Sequence, residues 1–222
     1  MNLSNHFRFY QCSFIMKNKN ILFIVVLCCL AILSACGSDS AQDPVSDNKV
    51  FVGEWITIYS TIDGTEAMVL TLSDSYTIKG LTYENVNESP VLYDRISGIW
   101  SYFTTNRIFS MIAYHSSTGL EDTESYLLKQ VDDYSLILQS QETSMLLSFS
   151  KVLLTTNLQT GRSISLSSLG IPGDFKVTNL ESSCPKIVSV EGNNLLSANG
   201  QGVAFITLYS ATATAIAIIN VK

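Results

Sequence analysis

The chain has 222 residues, a net charge of −6 at neutral pH and 46% hydrophobic residues. Arg8, Lys17 and Lys19 are the charges of the first 35 residues, so the 187 that follow carry −9. That balance argues against nucleic acid as a partner, because phosphate contacts need clustered Lys and Arg.

Read from the N-terminus, Lys17 and Lys19 precede Ile21–Leu33, a charge-free apolar run that ends in small residues. Basic, apolar and small segments in that order predict a secretory signal. The run is too short for a transmembrane helix, which needs about 20 apolar residues. Met16, directly before Lys17, is an alternative start to Met1. Leu33-Ser34-Ala35-Cys36, at the end of the run, resembles the lipobox of bacterial lipoproteins. The resemblance implies a signal peptide over 1–35, diacylglycerol on the Cys36 thiol and cleavage before it. An ordinary secretory peptide ending near a cysteine is the plainer alternative. With Cys36 acylated, Cys184 is the one thiol left, so neither an internal disulfide nor a cysteine zinc site is expected.

Residues 36–49 lack hydrophobic periodicity and read as a lipidated flexible tether. No Asp stands directly after Cys36, and the mildly acidic stretch Gly37–Pro44 resembles the surface-export tethers of some Gram-negative lipoproteins. The implied location is the outer membrane or cell surface, lipid-anchored, with the periplasmic face as the alternative. Asp39-Ser40-Ala41 resembles a bacterial O-glycosylation sequon, against the plainer reading of a solvated linker.

From Val50 the texture changes to short apolar runs broken by turn residues. Glu54–Thr61 is rich in aromatic and β-branched residues and ends at the hairpin signal Asp63-Gly64. Met68, Leu70 and Leu72 alternate; Gly98, Trp100 and Tyr102 share one face; Ile108–Tyr114 is apolar on both. Tyr134, Leu136 and Leu138 alternate, as do Met145, Leu147 and Phe149. Turns are expected at 104–106, 116–119, 132–133 and 141–142, with a longer loop at 85–90. Strands at this spacing without a helical period predict an all-β sandwich or barrel. Gly53-Glu54-Trp55, Gly98-Ile99-Trp100 and the closing Phe149-Ser150-Lys151 resemble lipocalin-like domains. That implies a small antiparallel lipocalin-like barrel over 50–154, with Trp55 and Trp100 as core plugs. Gly beside each Trp is expected to permit a tight bend.

Near Thr155-Thr156-Asn157 the aromatics thin out and Ser, Asn, Gly and Thr rise. Pro185-Lys186-Ile187-Val188-Ser189-Val190 followed by Gly192-Asn193, Leu195-Leu196-Ser197-Ala198 and Gly200–Thr207 resembles a bacterial Ig-like (group 2) domain. The resemblance implies a small Ig-like β-sandwich over 155–222, with Leu180 where many members carry a Trp. Ala211–Val221 is too short for a membrane span and suits a strand buried on both faces.

Chemistry is sparse. His115, the one imidazole beyond residue 35, stands beside Ser116 and Ser117 and near Glu121, Asp122 and Glu124. A Ser-His-acid triad is conceivable there, but a solvated turn is the plainer reading. Glu121, Asp122 and Glu124 with Asp132-Asp133 lack the spacing of a calcium loop. Cys184 reads as a buried or inert thiol. No catalytic residue, cofactor or metal is assigned, and Cys36 is the one site residue, for lipid attachment. The expectation is a non-enzymatic, membrane-anchored lipoprotein of the Gram-negative envelope. Its barrel head would bind a protein or glycan ligand, and its Ig-like domain would serve as interaction module or spacer. Function is placed on loops such as Asn85–Pro90 and His115–Glu124. The alternative is an envelope enzyme or enzyme inhibitor acting through the barrel loops.

Overall fold

The computed structural model describes residues 48–62, 64–192 and 194–222. The expected signal peptide, Cys36 and most of the expected tether lie outside the described residues. Asn48 and Lys49, expected as the tether's end, belong to a 3-10 helix, Asn48–Phe51, whose last residue is fully buried.

Eight strands follow: β1 (Gly53–Thr61), β2 (Gly64–Leu72), β3 (Thr77–Glu84), β4 (Val91–Phe103), β5 (Ile108–His115), β6 (Leu120–Val131), β7 (Ser135–Ser140) and β8 (Leu146–Leu158). Each pairs antiparallel with the next, and β1 pairs with β8 through Trp55–Lys151 and Ile56–Ser150. The result is a closed antiparallel barrel, which leaves its strands no free edge. The turns at 104–107, 116–119 and 141–143 fall where the sequence signals them. Alternation decides which residues fill the bore. Trp55, Leu70, Ile78, Trp100, Phe109, Met111, Leu136, Leu138 and Phe149 join one core, which the helix residue Phe51 caps from the base.

The chain continues as β9 (Ser163–Ser165), β10 (Asn179–Ser182), β11 (Val188–Glu191), β12 (Leu195–Ala198), β13 (Gly202–Tyr209) and β14 (Thr214–Val221). Strands β11, β12 and β9 make a three-stranded sheet, while β14, β13 and β10 extend the barrel sheet from β8. A second core lies between these sheets, from Leu180, Val188, Leu196, Ile206, Ala217 and Ile219. The other face of β13 and β14 presents Phe205, Ile216 and Ile218 to the outside of the barrel, where they meet Ile56, Val69 and Tyr83. Residues Ala215–Ile219 are therefore buried on both faces, as their apolar run predicts.

The expected domain boundary at 154/155 lies inside β8. That strand pairs with β7 over Leu146–Ser150, then in parallel with β14 over Lys151–Leu158. The change of composition marks where the neighbours of the strand change, not where the strand ends.

Candidate functional site

The two ends of the barrel differ in chemistry. At the base, Phe51 packs against Trp100, Tyr102 and Phe109, with ring centroids 4.8–5.8 Å apart. Trp55 donates its indole N–H to Phe51 O at 2.7 Å, and Trp100 donates to Ser73 O at 3.1 Å. Both indoles are buried, at 0% and 2% exposure, and both polar handles are satisfied. They are core residues, as expected.

The glycines beside them answer to close approach. Gly53 has φ +136°, and a Cβ there would meet Lys151 Nζ. Gly98 has no positive φ; its Cβ would fall 1.9 Å from Ile112 O on the neighbouring strand. The expected tight bend is thus corrected at Gly98, where two backbones run too close for a side chain.

At the opposite end, the mouth, cross-strand pairs share a face, and the register sets polar groups on the inner one. Tyr59 stands opposite Glu66, and Met111 opposite Glu124. Tyr59 Oη donates to Glu66 Oε2 at 2.9 Å, and Tyr126 Oη donates to Glu124. Burial and then the adjacent carboxylate hold both phenols well above the usual tyrosine range.

Asp94 is the most buried acid of the mouth, 3% exposed. A β-bulge opposite Thr82/Tyr83 sends Leu92 to the outer core while Asp94 faces inward, opposite Thr82. Its Oδ2 lies 2.7 Å from His115 Nδ1. Its Oδ1 accepts from Ser117 N and Arg95 N, each at 2.8 Å, and from Ser116 Oγ at 3.2 Å. Burial works against the charged carboxylate, but the Ser117 amide, then His115, then the Arg95 amide hold it below the usual range. Ser116 therefore serves Asp94. Among the described residues no bond joins Ser116 or Ser117 to the His115 ring, the contact a nucleophile needs. The arrangement locks the β5–β6 turn and fixes the imidazole. A lone Asp 21 positions from a His leaves no local signal in the sequence, so only the fold brings this pair out.

Of the acids singled out in the sequence, Asp122 and Glu124 face inward at the mouth and Glu121 faces outward, opposite Tyr114. Asp132 and Asp133 stand at the base end of the same strand, about 30 Å away at the usual rise, so the two groups do not meet. Among the described residues no cluster of three potential metal ligands occurs. The 85–90 loop is partly structural: Val86 is fully buried and bonds Thr65 O at 2.9 Å, and Glu88 O accepts the buried Cys184 thiol at 2.9 Å. A groove of about 470 Å³ also runs along the barrel flank, where Gln130, Tyr134, Ser148 and Ser150 face Ser210 and Thr212 of the β13–β14 turn.

No family model, curated protein or solved structure matches this chain.

Proposed function

We propose that the protein is a non-enzymatic lipoprotein of the Gram-negative envelope, anchored through Cys36, whose lipocalin-like barrel binds a partner at its acidic mouth. The carrying observation is the asymmetry of the bore: aromatic and filled at the base, acidic and ringed by turns at the mouth. A filled bore leaves the rim as the contact surface, and Glu66, Asp122 and Glu124 suit a cationic protein segment. The C-terminal strands, in two sheets around one core, support an Ig-like spacer that buttresses the barrel. The anchor rests on Leu33-Ser34-Ala35-Cys36 closing an apolar run of signal-peptide length.

Two measurements test this. Labelled palmitate is expected in the wild-type protein and not in Cys36→Ser; equal labelling, or none in either, refutes the anchor. Oligolysine is the probe for the mouth. Its binding is expected to weaken with salt and to fall in the double variant Asp122→Asn, Glu124→Gln, but not in Asp74→Asn at the base. Equal loss in both refutes the mouth.

The flank groove favours a second reading, a glycan subsite, because its hydroxyl and amide lining matches the hydrogen-bonding pattern of sugars. Loss of glycan-array binding on Ser148→Val would select it.

A further inference from the structure

The outer face of the β4–β5 hairpin is apolar where it should be solvated. Ile99 and Phe103 are 54% and 56% exposed, and Ile112 is 38% exposed. The register sets Ile99 directly opposite Ile112 and Phe103 opposite Ile108, on the face turned away from the core. Ser97, Ser101 and Ser110 fill the gaps between them, so from Ser97 to Phe103 the face carries no charge of its own. Phe103 and Ile108 flank the base turn, and Val50 of the 3-10 helix and Tyr76 of the β2–β3 turn, each 37% exposed, lie at the same end of the barrel.

Charge is distributed to match. Lys79 on β3, Arg107 in the base turn and Lys129 on β6 border the apolar face, and Arg107 Nη2 donates to Lys129 O at 3.3 Å. Lys49 lies in the 3-10 helix at the base. Asp74, Asp132 and Asp133 share this end, so it is near neutral, whereas Glu66, Asp94, Asp122, Glu124 and Glu142 crowd the mouth with Arg95. An amphipathic surface of exposed aromatic and aliphatic side chains bordered by Lys and Arg is the chemistry of interfacial lipid binding. The long basic side chains can reach headgroup phosphates while their stems cover apolar surface.

The chain outside the described residues says which surface this is. Residues 37–47 separate Cys36 from Asn48, a length that spans at most about 40 Å. The helix they lead into sits at the base, so an anchor at Cys36 attaches to the barrel at its base end. We infer that the base end of the β4–β5 face docks on the phospholipid surface that holds the anchor, with Phe103 and Ile99 entering the headgroup boundary. This orientation turns the acidic mouth away from anionic lipid. The inference rests on the proposed acylation of Cys36.

The test uses the lipidated full-length product reconstituted into phosphatidylethanolamine–phosphatidylglycerol vesicles containing brominated acyl chains. Two variants report position: Phe103→Trp at the base and Leu120→Trp at the mouth, both at exposed positions the core does not need. Docking predicts loss of the added emission for Phe103→Trp and none for Leu120→Trp, with Trp55 and Trp100 a common background. A protein that does not float with the vesicles refutes the anchor, and the docking with it. Flotation with neither or both positions quenched overturns the docking alone. So does flotation in which Phe103→Trp stays unquenched and Phe103→Asp converts a dimer to a monomer, which would assign the face to a second copy of the chain.

Discussion

Lys151 Nζ sits 4.3 Å from the centre of the Trp55 ring and donates to Val52 O at 2.8 Å. One ammonium thus joins the last barrel strand to the first and to the backbone leaving the 3-10 helix. It closes the barrel where β1 and β8 share two residue pairs. Burial lowers the Lys151 pKa, partly offset by Asp133; the contacts to the ring face and the carbonyl are ones a charged ammonium makes more strongly. Lys151→Met keeps most of the stem and removes the ammonium. The expected cost is about 2 kcal/mol, from a partly desolvated cation–π contact and a charged hydrogen bond. Urea denaturation checks it, and an unchanged midpoint would show that the strand pairs close the barrel without it.

Trp55→Ala and Trp100→Ala are each expected to cost about 3–5 kcal/mol, the range for buried aromatic truncations. Native emission should be blue-shifted and indifferent to added haem, lipid or glycan, because neither ring lines an open bore. Strong quenching by one such ligand, with binding lost but stability kept in Trp→Ala, would make the barrel a small-molecule carrier.

Gly98→Ala is expected to destabilise by about 1–3 kcal/mol, the usual cost of overpacking. The added methyl meets a backbone carbonyl of β5, which cannot rotate away as a side chain can. Wild-type thermal stability in Gly98→Ala would show that the two strands can part at no cost.

Acid should act through Asp94. Its carboxyl titrates below its unfolded value of about 3.9, so its contribution is present above that pH and is lost as pH falls through the folded value. Asp94→Asn is expected to cost about 1–3 kcal/mol at neutral pH, from hydrogen bonds weakened at the Ser117 and Arg95 amides. Its stability should also decline less below about pH 4. Parallel pH–stability curves for the two proteins would contradict that assignment.

The barrel and the C-terminal strands are expected to melt in one calorimetric transition. Cutting at 154/155 divides β8 and bares Val152 on one side and Phe205, Ile216 and Ile218 on the other, all buried in the intact protein. Two separated transitions, or cooperative melts of 45–154 and 155–222 made separately, would show instead that the two halves fold independently.

Much of this was legible residue by residue. Period-two alternation set which side of Gly98–Tyr102 and Leu147–Phe149 faces the core, because a strand exposes successive side chains to opposite faces; Met145, in the same alternation, precedes β8 and is exposed. The unbroken apolar run near the C-terminus announced a strand covered on both sides. The segment 1–35 and Cys36 are argued from sequence alone, since charge, hydropathy and small residues in a fixed order are local properties. Tertiary structure decided what depends on distant partners. It made β8 common to both halves, since pairing with β14 in parallel requires a return of nearly sixty residues that leaves no local mark. It brought Asp94 to His115 through the β4–β5 register, which sets Ile96 opposite His115 and Asp94 on the same face. It also left Ile99, Phe103 and Ile112 exposed: alternation makes them the outer face of a strand, and only the position of every other element shows that none of the described residues covers it.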